Sequence, residues 1–462
     1  METFQSPGLW YLPSNPDEKI AGTLRYSPTD GLLLSLTGSL SEPFRGSGGQ
    51  SFSLIHGVLA QSPYNGRFVS LMDSFQTRFS LSMPGFATQD IISNYAYIAD
   101  GIIDESYLKF SKIQLHLNCL REWVNVTGIQ QAQEPDAGTQ ETHGVTLSYR
   151  PRQPIILSNR DVRVAIEFQG IVDEVLSRRT VILKEKVFIT VDGIKNLSLR
   201  ESMNAYVNPI RNFFTLVTTS PAVIEEQVVY SQNFKHDDLD FLRPIYVVYQ
   251  PLYKGRDEDH TFRPDEMVFS LRDVEDRLDV LFDRWMNFSE QYKAFCNIYF
   301  VLQDSPPSYL DTKFTLLMLA YDLFFEKNYR EGESKLNVEA LTSKLSQAVE
   351  EHSSWVLDMI PSTSALNFPW NLLRVVQEHP TLMAPLVRGD LRRFVDQVVA
   401  TRRYVQQRDM SVLDRSAQGR DLYWLIEKLH ILLRACILLE LGIPSHEIDK
   451  IFRRNRIYPY FP

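Results

Sequence analysis

Length, composition and charge exclude several classes of protein. The chain has 462 residues, of which 44% are apolar and 12% aromatic, so it is not disordered and is longer than one hydrophobic core supports. We therefore expect two or three domains. A formal charge of −9 and a pI near 5.6 exclude a protein that coats nucleic acid through its overall charge, but they leave a local basic cleft open.

Cysteines and targeting signals favour a cytoplasmic protein. Cys119, Cys296 and Cys436 are far apart and form no CxxC or Cys/His pattern, so we expect reduced core residues and no metal site. The N-terminus lacks a basic start followed by an apolar run, and no stretch approaches about eighteen clean apolar positions, so neither a signal peptide nor a membrane contact is expected. Motifs for nucleotide binding, zinc proteases and serine hydrolases are missing, and we expect no cofactor.

The chain up to about Leu199 has the pattern of an antiparallel β-rich domain. Short runs such as TLRYS and LLLSLTGSL alternate with turn signals such as PTDG, and the pattern resumes at VRVAIEF and TVILKEKVFITV. Strands at this spacing favour a sandwich or a rolled sheet. Residues 130–143, QQAQEPDAGTQETH, are polar and lack periodicity, which predicts a surface loop.

Helical periodicity replaces the strand pattern after about Leu199. Apolar residues recur at helical spacing in ESMNAYVNPIRNFFTLVT, where Pro209 predicts a kink, and in SLRDVEDRLDVLFDRWMNF, where Ser270 is the predicted N-cap. SPPS at residues 305–308 is a strong break, beyond which no segment has a strand pattern. We therefore predict an N-terminal domain of residues 1–304 and an all-α domain of residues 305–462, which makes the fold class α+β.

Several helices are predicted in the C-terminal region. YLDTKFTLLMLAYDLFFEKNYR is apolar nearly all round, which predicts a buried helix. A second helix is predicted from Leu391 to Tyr404, a third from Asp421 to Leu441 with Gly442 as its stop, and a short last helix in HEIDKIFRRN.

The second of these helices carries arginines where its apolar stripe predicts core. Arg402 comes eleven residues after Leu391, almost three turns, and so lies on the stripe, while Arg403 lies one residue round the helix. A buried arginine needs an anionic partner or a wet cleft that receives an anion. One interpretation is therefore a structural ion pair, and the other is a phosphate-facing site. Candidate ion-pair partners are Glu427 or Glu440 for Arg402, and Asp409 for Arg403.

Two histidines and a basic terminus are further candidates. His379 closes the string RVVQEH, and His430 lies on the third predicted helix; a helix-end role for the first and a hydrogen-bonded core role for the second are the alternatives. The terminal RRNRIYPYF interleaves Arg453, Arg454 and Arg456 with aromatic residues. This pattern suits RNA binding by phosphate contact and base stacking, and also a solvated helix end with a docked aromatic tail.

The order of several phrases resembles a known family. GLWYLP, KIAGTLRYS, GLLLSLTGSL and SLIHGVL resemble the sheet-rich N-terminal domain of the ApeA family, and the region from about Leu310 to the end resembles its HEPN domain. In that family the signature is TRN, three variable residues and His, followed by an Asp-containing loop and a long helix. TRRYVQQRD and GRDLYWLIEKLHILLRACILLELGI occupy those places here.

The resemblance implies a ribonuclease of prokaryotic antiphage defence. It implies a helical domain that forms a homodimer, brings two Arg/His motifs together at the dimer cleft and cleaves RNA, such as tRNA, without a metal. Arginine can hold a phosphate bidentately, and histidine can move a proton near neutral pH. It also implies that the N-terminal domain is a sensor with a phage-derived trigger.

This chain departs from the signature at two of its three positions. Arg402 matches the arginine, but Arg403 replaces the asparagine and Gln407 replaces the histidine. Because glutamine cannot titrate, the loss of this acid or base typically costs on the order of 100-fold to 10,000-fold in rate. The resemblance thus gives Arg402, Arg403 and Gln407 as candidate catalytic residues. Arg408 and the terminal basic residues Arg453, Arg454 and Arg456 are the candidate RNA-binding residues.

Two functions stay open on the sequence. One is a ribonuclease with a degenerate motif, in which Arg402 clamps the scissile phosphate. The other is a non-catalytic HEPN-like module that binds RNA or a nucleotide, or mainly dimerises, and transmits what the N-terminal region detects.

Overall fold

The computed structural model has antiparallel strands in its N-terminal part and helices in its C-terminal part, which confirms the predicted α+β class. It describes residues 3–40, 50–62, 64, 66–82, 85–104, 108–135, 142–173, 182–236, 239–249, 262–304, 309–330, 367–387, 390–455 and 457–458.

The chain divides into two compact units. The β-rich unit comprises Met1–Arg211 and Ala222–Thr261, and the helical unit comprises Asn212–Pro221 and Phe262–Pro462. Residues 262–304 therefore group with the C-terminal helices, whereas the sequence analysis placed a boundary after residue 304. That boundary stays a prediction about how the chain divides into folding domains.

Six strands of the β-rich unit close into a ring. In sheet order they run β6, β3, β2, β1, β4 and β5, and β5 pairs back onto β6 over its length. Trp10, Leu34, Ile55 and Leu71 are among the fully buried side chains that fill the interior. The strands are β1 (Phe4–Leu12), β2 (Asn15–Ser27), β3 (Gly31–Thr37), β4 (Ser51–Leu59), β5 (Phe68–Leu81) and β6 (Ala87–Ala99).

A second row of strands extends the same sheet from β6. One edge of β6 pairs with β3 through residues 88–93 and with a later strand, β16, through residues 95–98. The order beyond β16 is β13, β7, β12, β11 and β10. The remaining strands are β7 (Phe110–Leu117), β8 (Ile129–Pro135), β9 (Thr142–Tyr149), β10 (Ile155–Asn159), β11 (Arg163–Asp173), β12 (Ile182–Leu197), β13 (Ile224–Ser231), β14 (Lys235–His236), β15 (Leu239–Leu242) and β16 (Ile245–Tyr249).

Two predictions from the sequence are wrong in this unit. The region after Leu199 was predicted to be helical, but β13 to β16 occupy residues 224–249, because segments such as IEEQVVYS find ladder partners on β7 and β6. The polar stretch from residue 130 was predicted to be a loop, but residues 129–135 form β8, which pairs with β9. In both places pairing with a distant or adjacent strand outweighs a weak local pattern.

The helices follow the predicted spacing closely. Ser270 begins a helix as predicted, since its backbone N–H donates to the Asp273 carboxylate at 2.9 Å. Pro209 is accommodated by a π-helical turn at Met203–Val207, so the predicted kink appears as a change of helix type. The helices are α1 (Leu120–Val124), α2 (Leu199–Ser202), α3 (Asn208–Thr218), α4 (Leu271–Val274), α5 (Leu278–Gln291), α6 (Lys293–Asp304), α7 (Leu310–Arg330), α8 (Asn367–Glu378), α9 (Pro380–Val387), α10 (Leu391–Gln407), α11 (Gly419–Glu440) and α12 (Ser445–Arg454).

Aromatic contacts run through the core of the helical unit. Phe213 and Phe282 meet edge to face with ring centroids 5.4 Å apart, and Phe295 lies 5.4 Å from Phe324. The Tyr321 hydroxyl on α7 donates to the Leu429 carbonyl oxygen on α11 at 2.7 Å, which fixes the packing of these two helices. The hydrogen bond places α7 against α11, and α7 also carries Asp322, which pairs with Arg402 of α10.

Two expectations about cysteines and membranes can be compared with the structure. Cys119, Cys296 and Cys436 are buried and unpaired among the described residues. Within the same residues, no helix combines the length and the uniformly apolar sequence that crossing a lipid bilayer requires.

Candidate functional site

The last turn of α10 carries most of the candidate residues. The helix begins at Asp390, whose side chain accepts a hydrogen bond from the Arg393 N–H at 2.9 Å. It ends where Arg408 adopts a left-handed conformation (φ 57°) and its N–H donates to the Tyr404 carbonyl oxygen at 3.0 Å. The observed end lies three residues beyond the predicted one, and this extra turn contains Gln407.

Arg402 is held by an ion pair that spans two helices. Its guanidinium binds the Asp322 carboxylate of α7 bidentately, with N–O distances of 2.9 Å and 2.6 Å. The Nε atom donates to the Gln406 side chain at 3.1 Å, and the guanidinium lies 5.1 Å from the centroid of the Phe368 ring. Three of the five guanidinium N–H groups therefore already have acceptors.

The acid that pairs with Arg402 differs from those considered in the sequence. Glu427 instead lies 3.6 Å from Lys313, and the partner Asp322 is 80 residues away from Arg402 along the chain. A signal for it was present, because Asp322 interrupts the apolar run of a helix predicted to be buried, and such an acid usually has a cationic partner. The sequence does not identify which cation is the partner of Asp322.

Arg403 pairs with Asp409, as one sequence interpretation expected. The two side chains approach to 2.5 Å, and 49% of the Arg403 side chain is exposed. Hydrogen bonds from the Ser411 hydroxyl and N–H, with the charge of Arg403, hold the pKa of Asp409 below its usual value. Arg403 is therefore an exposed cation with a local counter-charge.

Gln407 and Arg408 lie on the surface at the end of α10. Within the described residues, the exposed Gln407 side chain makes no hydrogen bond. Arg408 is 72% exposed, and its nearest acid is Asp311 at 4.0 Å. Exposed charges at this separation contribute little to stability, so Arg408 is available to an anionic ligand.

Neither histidine candidate joins the arginines. Burial, with the positive charges of Lys313 and Arg434, lowers the pKa of His430 to about 3, and its Nδ1 atom accepts from the Gln303 amide at 3.3 Å. His430 is therefore a neutral core residue, as the second interpretation had it. His379 lies between α8 and α9, where its backbone N–H donates to the Val375 carbonyl oxygen at 3.3 Å.

The basic residues of the C-terminus are engaged within the chain. Arg453 pairs with Asp449 at 2.9 Å and lies 5.9 Å from the Tyr458 ring centroid. Arg454 pairs with Asp273 at 2.9 Å. The Tyr458 hydroxyl donates to the Leu382 carbonyl oxygen at 2.8 Å, so this aromatic residue is docked. Arg456 lies outside the described residues.

The chemistry that this arrangement offers is electrostatic. In the described part of the chain, Arg402, Arg403 and Gln407 hydrogen-bond to no histidine, so no imidazole next to them can accept or donate a proton. No group of three or more potential metal ligands occurs among the described residues. The segment can therefore attract and orient a phosphate, but the proton transfer that RNA cleavage needs has no assigned residue.

Comparison with known proteins places both parts of the chain. A family model described as ApeA N-terminal domain 1 matches residues 6–285, more than half of the 462 residues. A second model, described as Apea-like HEPN, matches residues 317–447, which include Asp322 and the whole of α10. No curated protein and no solved structure matches the chain.

Proposed function

Because this chain belongs to the ApeA-like HEPN family, as the sequence resemblance predicted, we propose that it acts in antiphage defence through a helical unit that binds RNA without cutting it at α10. The observation that carries the proposal is how the side chains at two positions of the family signature, Arg402 and Gln407, are engaged. Arg402 is paired with Asp322, and Gln407 is an exposed amide without a titrating partner.

The absence of cleavage follows from proton chemistry. Attack by a ribose 2′-hydroxyl requires a base that accepts its proton and an acid that protonates the leaving oxygen. Gln407 can do neither, and His430 is buried with its pKa lowered to about 3. Arginine at residue 403 adds positive charge, which strengthens phosphate binding.

RNA binding is supported by two exposed cations at the C-terminal end of α10. Arg403 and Arg408 are 49% and 72% exposed and are five residues apart, Arg408 being the C-cap of the helix. Their acids are separate, Asp409 for the first and Asp311 for the second, so each guanidinium can exchange its carboxylate for a phosphate independently. Such contacts give sequence-independent, salt-sensitive binding.

The test is incubation of purified full-length protein with total tRNA in the presence of EDTA. We expect intact tRNA on a denaturing gel and a retarded band on a native gel, with weaker retardation for Arg408→Ala. Arg121→Ala, which removes a 76% exposed arginine from the β-rich unit, is the matched control and should bind like wild type. Failure of the wild-type protein to retard tRNA at low salt would contradict the binding function.

Asp322 determines how strongly Arg402 can contribute to RNA binding. While the carboxylate occupies the guanidinium fork, an RNA phosphate must displace it, so Asp322→Asn should tighten tRNA binding up to about tenfold. Asp279→Asn removes the same charge from an exposed position of α5 without touching the arginines of α10, and it controls for general electrostatics. The gain from Asp322→Asn should vanish in the Arg402→Ala background; an equal gain there would show that Arg402 receives no phosphate.

A second candidate function, a metal-independent ribonuclease, is favoured by the match of both family models. Discrete tRNA fragments that disappear in Arg402→Ala would establish it in place of the binding module. Gln407→His then serves as a diagnostic variant. If only the proton-transfer group is missing, this variant should gain cleavage that Arg402→Ala abolishes.

We also propose that the helical unit forms a homodimer and that the β-rich unit detects a phage-derived trigger. Membership of the HEPN family supports the first, and the presence of the companion N-terminal domain supports the second. Sedimentation equilibrium of the full-length protein tests the dimer, and a purely monomeric protein at micromolar concentration would contradict it. Phage challenge of cells that express wild type or Arg408→Ala tests the defence function.

A further inference from the structure

A methionine sulfur accepts two side-chain hydrogen bonds inside the β-rich unit. Met203 lies in the π-helical turn between α2 and α3, a type of turn that often occurs at functional sites. Its Sδ atom accepts from the Gln227 amide of β13 at 3.8 Å and from the Tyr249 hydroxyl of β16 at 3.2 Å. The sulfur therefore joins the turn to two strands of the sheet.

The amide that donates to this sulfur is fully buried. Gln227 is 0% exposed, its Nε2 atom donates to Met203 Sδ, and its Oε1 atom has no hydrogen-bond partner among the described residues. A thioether is a weak acceptor, so the buried N–H group is poorly compensated for its loss of water. Poorly satisfied buried polar groups in native proteins call for a reason, and a redox role is one of those known.

An oxygen atom on the sulfur would give both donors a strong acceptor. The Nε2–Sδ separation of 3.8 Å exceeds the distance of about 2.9 Å that is usual for an N–H···O hydrogen bond. An oxygen bonded to Sδ can therefore lie at that distance from Nε2 without a shift of the Gln227 amide. The Tyr249 hydroxyl, 3.2 Å from the same sulfur, can donate to the same oxygen. Oxidation of a methionine to its sulfoxide supplies such an oxygen.

Met203 is also within reach of a small oxidant, since its side chain is partly exposed. Met286 on α5 is partly exposed too, but its sulfur accepts no hydrogen bond among the described residues. Met410 is 65% exposed. The buried methionines of the described chain are Met72, Met267, Met318 and Met383. Met286 is thus an internal control that resembles Met203 in exposure and lacks its donors.

We propose that Met203 is an oxidation site, which a hydroperoxide converts to the sulfoxide and whose new oxygen Gln227 and Tyr249 bind. The sulfur attacks one peroxide oxygen, so that an S–O bond forms, the O–O bond breaks and the sulfur gives up two electrons. With hydrogen peroxide, the leaving hydroxide takes the proton of the transferred oxygen and departs as water. Donors that face the transferred oxygen stabilise the negative charge that develops on it. The site does not depend on the proposed RNA binding.

The test is peptide mass spectrometry of the full-length protein during timed exposure to hydrogen peroxide. We expect Met203 to form the sulfoxide at least about threefold faster than Met286, because each donor should lower the barrier by the worth of one hydrogen bond. Tyr249→Phe removes one donor and keeps the ring, so it should slow the oxidation of Met203 about fivefold and leave Met286 and Met410 unchanged. Tyr309→Phe, at a residue that is 87% exposed, should oxidise like wild type.

Two results would overturn the proposal. One is a Met203 thioether that persists until Met286 is fully oxidised, and the other is an equal rate for Met203 in wild type and Tyr249→Phe. If Tyr249→Phe does not fold, a crystal structure of the peroxide-treated wild-type protein decides the matter. A sulfoxide oxygen on Met203 within hydrogen-bond distance of Gln227 Nε2 supports the site, and an unmodified thioether refutes it.

Discussion

Trp10 leaves no space for a side chain at two neighbouring backbone positions. Its indole is fully buried within the strand ring. A Cβ atom at residue 57 would lie 2.3 Å from two of its ring carbons. One at residue 22 would lie 3.1 Å from a third ring carbon, and closer still to Leu36 Cδ2 at 2.6 Å and the Ser35 carbonyl oxygen at 2.8 Å. Glycine at residue 57 is therefore required by the indole, and at residue 22 by the indole together with β3, since the backbone of neither residue adopts a positive φ.

Gly57→Ala should destabilise the β-rich unit by about 1–3 kcal/mol, because the indole cannot move away within a packed interior. Ser53→Ala, at an exposed position of the same strand, is the control and should change stability by less than about 0.5 kcal/mol. Calorimetric melting temperatures measure both. A Gly57→Ala protein with an unchanged melting temperature would show that the interior of the strand ring can rearrange around Trp10.

His430 predicts a specific pH dependence of stability. Its pKa is lowered to about 3 in the folded chain from an ordinary value of 6.5, so below pH 6.5 the unfolded chain takes up a proton that the folded chain does not. Stability is therefore intact above pH 6.5 and falls on acidification towards pH 3, by up to about 1.4 kcal/mol per pH unit.

Denaturation midpoints from pH 8 to pH 4 at constant ionic strength test this dependence. His430→Asn should flatten the acid limb of the profile, and His446→Asn, at an exposed position, should not. Parallel profiles for wild type and His430→Asn would mean that other groups dominate the acid response.

The sequence identified the arginines at the end of α10 but not the acid that pairs with Arg402. Spacing along a single helix is enough to place Arg402 on the apolar stripe and Arg403 beside it. The identity of the acid depends on how α7 and α10 are aligned in three dimensions, and Asp322 is one of several acids that lie on helical patterns. Local periodicity contains no information about that alignment.

At the scale of the element, helices were more predictable than strands. The bounds of α7, α11 and α12 follow from caps and apolar spacing, and Gly442 ends α11 in a left-handed conformation (φ 82°), as the sequence predicted. Strands β13 and β16 were missed because their ladder partners β7 and β6 lie more than a hundred residues earlier in the chain. Ring closure between β5 and β6 likewise needs the three-dimensional fold.

Thr401 connects α10 to the start of α11. Its buried hydroxyl donates to the Gln397 carbonyl oxygen at 2.6 Å and accepts from the Ala417 N–H at 2.8 Å. Thr401→Val leaves that N–H unsatisfied and should cost about 1–3 kcal/mol in the free energy of unfolding.

Thr315→Val is the matched comparison for Thr401→Val. Thr315 makes the same hydrogen bond within its helix, to the Asp311 carbonyl oxygen at 2.8 Å, but accepts none from another segment of the described chain, and its loss should cost less than about 0.5 kcal/mol. Urea denaturation measures both variants. Equal losses would assign the effect to helix propensity rather than to the connection.

At the scale of the whole molecule, net charge and local charge act in opposite directions. The chain carries a formal charge of −9, yet the end of α10 presents exposed arginines. We expect tRNA affinity to fall steeply with salt, since each phosphate contact releases condensed counterions. Arg408→Ala should reduce the slope of log K against log salt by about 1, and Arg121→Ala should leave it unchanged. A slope that is the same in all three proteins would remove Arg408 from the interface.

Strand β6 has a consequence for how the β-rich unit comes apart. It bonds to β5 along one edge and divides its other edge between β3 and β16, so the ring and the extension share its amides and carbonyls. If the ring frays, the extension still holds β6, and if the extension frays, the ring still does. Its backbone amides should therefore exchange with deuterium more slowly than those of any other strand in the sheet, and a break in β6 would release both halves at once.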